Sequence, residues 1–365
     1  MSDMRSVLVD TANKLFSKLC SPRACAEAEK EIWQPDLWAA LQESGLTDAT
    51  VTAARGGAGA DLGDALAVIH EAGAYGLPAP LAETMLAELV LAAAGLGARS
   101  GVLTVGPVLA GDHLSLTKKG NAWAISGTLH RVPWGRHATA VAVSAQVGEK
   151  WATAIVKSPT VSKSASNFAH EPRDDLHFDD YRLSAEEVSV GGSNMNPEDL
   201  QFCGALFRVA AMTGALSRIL GMTVEYALQR EQFGRPIAKF QAVQQQIAVL
   251  ASQVAASSAA YGAALEASHN GLAHFEIAAA KARVSEAAGI AVSIAHQVHG
   301  AMGFTHEHPL HRSTRRLWSW RDEFGSEHDW AAWIGSNIAR LGGAALWPFL
   351  TSSDKTTPIA ATDHF

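Results

Sequence analysis

The stretch from Phe275 to Val298, FEIAAAKARVSEAAGIAVSIAHQV, decides how this chain is read. Its residues Ile277, Val284, Ala288, Ala291, Ala295 and Val298 recur at spacings of 7, 4, 3, 4 and 3, which puts them on one narrow face of a long helix. Half of that face is alanine. Small side chains let helices approach closely, so the pattern predicts a bundle. The same Ala-rich helical character runs from Asn196 onward, with breaks at Gly271 and around Gly300. Upstream, between Gly101 and about Gly192, the period changes to β-branched alternation: Val102 and Thr104, Trp123 and Ile125, Ala140 to Val143, Trp151 to Val156. That block predicts a small β domain of barrel-like form. Before it the spacing is helical again, as in Val7, Ala12, Leu15 and Leu19, or Leu81, Met85 and Leu89. Arg55 to Ala60 reads as a glycine loop, and Asp61 to Ala72 as a helix with Ala65, Val68, Ile69 and Ala72 on one face. The expected chain is mainly α with a middle β domain: an N-terminal helical domain over 1–100, the β domain over 101–195, and a four-helix bundle over 196–365 that mediates oligomerisation.

Composition narrows the function. At 365 residues with 48% hydrophobic and 18% charged side chains, the chain has ample material for a core, which excludes disorder. The 29 basic and 36 acidic residues leave a net charge of -7, and the isoelectric point is near 6.1, so no basic footprint for nucleic acid or an anionic membrane surface is present. Cys20, Cys25 and Cys203 form no CxxC pair, which argues against a disulfide framework or structural zinc and suits a reducing cytoplasm. Leu89 to Ala98, an uncharged stretch near the end of the N-terminal region, is too short to span a bilayer, and no transmembrane helix or membrane association is expected. The N-terminus has acids among its basic residues and no long apolar run, so it reads as the first helix of the fold.

Two segments could carry chemistry. Tyr226 to Pro236 reads as a helix ending at Gly234, with Pro236 as a stop and the next helix starting near Phe240-Gln241. This is either a charged turn in an αα-hairpin, or a set of donors, Arg230, Gln232 and Gln241, placed around a helix end for an anion such as a pyrophosphate. The second segment, Gln297 to Phe304, ends a helix with Gly300 and Gly303, which serve either a close backbone approach to a ligand or a cap. The nearby His299, His306, His308 and His311 raise a metal reading. Pro309 interrupts the spacing and no cysteine or acidic trio stands nearby in the sequence, so no metal is expected.

Arg-Glu-Gln-Phe-Gly-Arg-Pro-Ile at 230–237, Phe-Gln-Ala-Val-Gln at 240–244 and Gln-Val-His-Gly-Ala-Met-Gly-Phe-Thr at 297–305 together resemble the acyl-CoA dehydrogenase family. Gly-Gly-Ala-Gly at 56–59, Glu71-Ala72-Gly73 and Pro78-Ala79-Pro80-Leu81 resemble its N-terminal domain. The resemblance implies FAD as cofactor, an acyl-CoA thioester as substrate and α,β-desaturation, in which a carboxylate removes the α-proton while hydride leaves Cβ for the flavin. It further implies that Arg230, Gln232, Phe233, Gln241, Gln297 and Gly300 hold the adenosine diphosphate end of a neighbouring subunit's FAD. An electron-transfer flavoprotein is the implied redox partner.

Departures from the family pattern fall in the flavin-ring motifs. Where the family has a Thr-Glu-Pro-x-x-Gly-Ser-Asp stretch, this chain has Gly101 to Val108 without acid or serine; where it has Trp-Ile-Thr or Trp-Ile-Ser, this chain has His130-Arg131-Val132-Pro133-Trp134. Pro133 offers neither hydroxyl nor N–H. One of the family's two base positions reads Phe202-Cys203-Gly204-Ala205 and lacks a carboxylate. The other reads Arg321-Asp322-Glu323-Phe324-Gly325, making Glu323 the candidate catalytic base and Asp322 the fallback, against a structural acid paired with Arg321 or Arg316. Retained motifs for a neighbour's cofactor beside missing ring motifs point to one subunit of a heteromeric enzyme, completed by a second acyl-CoA dehydrogenase-like chain. The alternatives are a homotetramer whose ring contacts come from Arg131 and Trp134, or a flavin-free helical scaffold.

Overall fold

A computed structural model describes residues 3–97, 100–109, 111–191 and 195–351; the end of the expected bundle, 352–365, lies outside them. The chain is helical, then β, then helical. The N-terminal helices are α1 (Asp3–Leu19), α2 (Pro22–Ala28), α3 (Pro35–Glu43), α4 (Leu62–Tyr75) and α5 (Leu81–Ala93). Asp61 caps α4 by accepting from the Asp64 amide at 2.7 Å, and Gly76, at φ +59°, ends it.

The middle sheet contains β1 (Leu103–Gly106), β2 (Leu114–Lys119), β3 (Ala122–Pro133), β4 (Ala140–Val147), β5 (Lys150–Lys157), β6 (Val161–Lys163), β7 (Arg173–Leu183) and β8 (Val188–Val190). It runs in the order β6-β7-β3-β2-β4-β5-β8, with β1 beside β4. Most pairs are antiparallel; β1 and, through one residue pair, β2 lie parallel to β4. Its inward side chains, Leu116, Ile125, Leu129, Val141, Val143, Ala154, Val156 and Phe178 among them, form a separate core.

The last region has α6 (Pro197–Gln229), a two-residue hairpin of β9 (Glu231–Gln232) and β10 (Arg235–Pro236), α7 (Gln241–Ala267), α8 (His274–His299), α9 (Leu310–Trp320), α10 (Glu327–Leu341) and α11 (Gly343–Thr351). The α6 helix stops at Gln229, not at Gly234. Phe233 and Gly234 take φ +52° and +76°, the pair of left-handed residues a tight hairpin turn needs. Two helices, α6 and α7 with its short extension, are long and apolar enough to cross a bilayer. In α6 that apolar stretch is 83% buried in the core, whereas in α7 it is 22% buried, so α7 presents an apolar face outward.

The α4 and α6 helices cross at backbone contact. A Cβ on Gly73 would lie 2.0 Å from the Ala211 carbonyl oxygen, and one on Gly214 would lie 1.9 Å from that of His70. Backbone cannot give way as a flexible side chain can. Gly214→Ala is expected to cost at least about 1–3 kcal/mol by forcing the helices apart, read as a lowered thermal midpoint. An unchanged midpoint would show that the crossing is loose.

Candidate functional site

Glu323 sits in the turn after α9, and the fold surrounds it with guanidinium groups. Arg173, at the start of β7, donates from Nε to Glu323 Oε1 at 2.7 Å, and Arg208, in α6, donates from Nε to Oε2 at 2.8 Å. Asn167 Nδ2 adds a bond at 3.1 Å. Arg208 reaches on from Nη2 to Glu83 of α5 at 2.6 Å, and Arg173 Nη2 to Glu171 at 3.0 Å. Glu171 also accepts from Arg316 Nε at 3.2 Å and from the Trp320 indole at 2.9 Å. Three carboxylates and three guanidinium groups thus neutralise one another in a space shut off from water. Of the partners considered for a structural Glu323, Arg316 bonds Glu171 instead, and Arg321 pairs with Glu327 at 2.8 Å. Asp322 is exposed.

Electrostatics follow from this arrangement. Burial raises the Glu171 carboxyl, but Arg173, Arg316 and Arg208 outweigh it and pull it down to about 2. At Glu323 burial is likewise outweighed by Arg173 and Arg208, and its carboxyl is lowered. A proton-abstracting base needs a lone pair aimed at open space and a pKa near the working pH. Glu323 has both oxygens engaged by cations and a pKa moved the other way.

The turn that carries Glu323 is anchored from α8. Lys281 is fully buried, and its Nζ donates to the carbonyls of Arg321 at 2.7 Å and Gly325 at 2.8 Å, bracketing the acid. Phe324, buried at φ +53°, lays its ring on α6 at Gly204. A Cβ there would meet the ring at 2.1 Å, and the Arg208 guanidinium lies 5.7 Å from the same ring. Gly204 lies in one family base position and Phe324 follows the other, so the two departures seen in the sequence are one packing solution. The remaining cavity, lined by Glu83, Glu171, Arg208, Trp134 and Trp320, measures about 30 Å³, room for one water.

The two ring-motif regions bond to each other. Thr104, in β1, donates its hydroxyl to the Pro133 carbonyl at 2.7 Å, and all of β1 is buried. Trp134 is 7% exposed, packed edge-on to Trp33 at 6.0 Å, while Trp33 stacks on His137 at 4.7 Å. Glu31 pins the Trp33 loop to the β domain through Arg136 at 3.0 Å and Ser166 at 2.7 Å. Trp134 therefore faces protein, leaving about 10 Å³ beside it. Arg131 is exposed at a break in the β3–β7 register.

The other expected residues share one end of the bundle. Because α6, α7 and α8 alternate in direction, the C-terminus of α6, the N-terminus of α7 and the C-terminus of α8 coincide there. Tyr226 ties them, stacking on His299 with centroids 4.4 Å apart. Arg230, Gln232, Gln241, Gln297 and Gly300 are all exposed, and Phe233 is 93% exposed. Arg235 packs its guanidinium over the Phe240 ring at 4.4 Å, whereas Arg230 has no side-chain partner among the described residues. Buried His299 donates from Nδ1 to the Ala295 carbonyl at 2.7 Å, leaving Nε2 as an acceptor with no partner.

Around the histidines the fold supplies an acid that no sequence neighbour offered. Glu29, from the end of α2, meets His311 Nε2 at 3.1 Å, and with His306 the three ligand atoms lie within 4.8 Å of one another. Glu29 already balances His311 and lies 3.8 Å from Arg315.

Comparisons agree with this architecture. Residues 2–98 match the acyl-CoA dehydrogenase N-terminal domain and residues 204–326 its C-terminal domain. Acyl-CoA dehydrogenase IpdE2 of Mycolicibacterium smegmatis is 30% identical, over 85% of this chain and 91% of its own length. In fold, a chain of the ChsE4-ChsE5 complex from Mycobacterium tuberculosis superposes with a TM-score of 0.86 at 23% identity, covering 94% of this chain and 99% of that one. A chain of a Tcur3481-Tcur3483 steroid ACAD gives 0.84 at 24%, covering 93% and 98%. The protein belongs to the acyl-CoA dehydrogenase family, a class of oxidoreductases.

Removing one member of a buried ion network leaves its partners uncompensated. Arg208→Met is expected to cost about 3–5 kcal/mol, measured by denaturant unfolding. Acid should act through the same groups. Their pKa values are lowered on folding, so the stabilisation is complete above the unfolded carboxylate value of 4.5 and is lost as pH falls toward about 2. Thermal midpoints between pH 6 and pH 2 should fall steeply below 4.5 in the native chain. They should fall less in Arg208→Met, where part of the linkage is already gone.

Proposed function

We propose that this chain is the non-catalytic subunit of a heteromeric acyl-CoA dehydrogenase, which completes a flavin site on a second, related chain carrying the ring contacts and the base. The single observation that carries the reading is a contrast. The cavities beside Trp134 measure about 30 and 10 Å³, while Arg230, Gln241 and Gln297 at the bundle end stand exposed with no side-chain partner among the described residues. A bound cofactor or drug-sized ligand takes roughly 300–1,000 Å³.

The residues present fit one end of FAD and not the other. Among the described residues, Arg230 at the bundle end is a cation without a side-chain partner, and Gln241 and Gln297 offer uncommitted amides. This donor set suits a pyrophosphate and its ribose arriving from another subunit. Exposed Phe233 and the outward apolar face of α7 supply the hydrophobic contact such an assembly would bury. FAD, when bound, supplies the hydride acceptor. This chain's residues bind the diphosphate end, exclude water from it and orient it. Glu323 serves as a structural acid, holding the β domain to the bundle through Arg173 and Arg208.

The substrate assigned to the assembly is a bulky acyl-CoA thioester. Support comes from a structural neighbour named as a steroid ACAD and another that is a two-component complex. An electron-transfer flavoprotein is the assigned electron acceptor and the cytoplasm the assigned compartment.

Expressed alone, the chain should be colourless, and co-expressed with its related partner the complex should show the visible flavin spectrum and desaturate acyl-CoA. A yellow, active homotetramer would overturn the reading, and no flavin in the complex would replace it with a scaffold role. Within the complex, Arg230→Ala should lose most of its flavin on gel filtration and Arg235→Ala should retain it. Glu323→Gln should leave turnover per flavin within about twofold while lowering stability by about 3 kcal/mol, since a neutral amide cannot balance two guanidinium groups. Loss of turnover by orders of magnitude at normal flavin content would make Glu323 the base.

A further inference from the structure

A cleft lies where α1, α2, α4, α6 and the start of α9 meet. It measures about 550 Å³, within the range of small-molecule sites, and none of the six network ions or bundle-end residues lines it. One wall is apolar: Tyr75, Met222, Cys25 and Cys20. Burial pushes the Cys20 thiol up to about 12, so it stands there uncharged.

The charged groups on the wall are unequally satisfied. Its acid, Glu71, accepts from His70 Nδ1 at 3.2 Å. Its cations are Arg218 and Arg312. Arg218 has no hydrogen bond or ion pair among the described residues. Arg312 spends Nη2 on the Pro22 carbonyl at 3.3 Å, but its Nε is buried without a partner. A buried N–H left unpaired is rare and calls for an acceptor. Two under-used guanidinium groups beside an apolar wall, on a chain of net charge -7, form a local exception to the protein's acidity.

We propose that this cleft is a second ligand site, for an amphipathic anion: a carboxylate or phosphate head held by Arg218 and Arg312, with an apolar body lying along Tyr75 and Met222. The guanidinium fork matches either oxyanion, and the head would satisfy the Arg312 Nε. The site requires neither the flavin nor the partner subunit, so it stands or falls independently of the proposed catalytic assembly.

Isothermal titration of the full chain, alone and in its complex, tests this with decanoate, decyl phosphate, decanol and decyltrimethylammonium as probes. Decanoate or decyl phosphate should bind with one-to-one stoichiometry, and the preferred one identifies the head group. Decanol and the cation should bind at least about tenfold more weakly. Arg218→Gln removes an exposed, unpartnered side chain and should fold normally while weakening the anion about tenfold. Met222→Trp, with its melting curve as a folding control, should block binding by filling the cleft. Equal binding of decanol and both anions, undiminished binding in Arg218→Gln, or no saturable binding of either anion would each overturn the proposal.

Discussion

Arg208 is the point on which the rest of the structure depends. A guanidinium buried in the middle of a 33-residue helix is a large desolvation cost, and it is tolerable only because Glu83 and Glu323 meet it from two directions. Each acid comes from a different part of the chain, Glu83 from the N-terminal helices and Glu323 from the turn after α9. Glu323 in turn needs Arg173 from the β domain, and Glu171 needs Arg173 and Arg316. A single charge therefore recruits all three layers of the fold. The hydrophobic cores hold each layer together, while the ion network sets how the layers seat on one another.

That network also explains the fate of the interior. A reaction site for an acyl thioester has to leave a void beside a mobile, moderately basic carboxylate. Here Phe324 packs against Gly204, Trp134 packs against Trp33, and both oxygens of Glu323 meet guanidinium groups. Lys281 adds to the same effect by fastening the carbonyls on either side of Glu323.

Much of the fold was legible because its signals are local. The change from helical to alternating period near Gly101, the Asp61 cap before α4 and the alanine face of α8 each lie within one turn or strand of sequence. After α6, Gly234 and Pro236 suit a helix stop as well as a two-residue turn, and the left-handed φ of Phe233, a residue that rarely adopts it, separates the two. Membrane-like hydropathy in α6 and α7 carries the same ambiguity, because a helix buried in the core and a helix with an outward apolar face are both apolar.

What the sequence by itself determined was the class of fold, the family, and the fact that the ring motifs and one base position are missing. Those are properties of residue type in order along the chain. That Glu323 lies between two buried guanidinium groups was decided only by the tertiary structure, since Arg173 and Arg208 lie 150 and 115 residues away from it and nothing in the local sequence names them. The same holds for Glu29 beside His311, separated by 282 residues, and for Phe324 on Gly204. A side chain's chemistry is set by the charges and volumes packed around it, and in a three-layer protein those neighbours come from segments far apart in the chain.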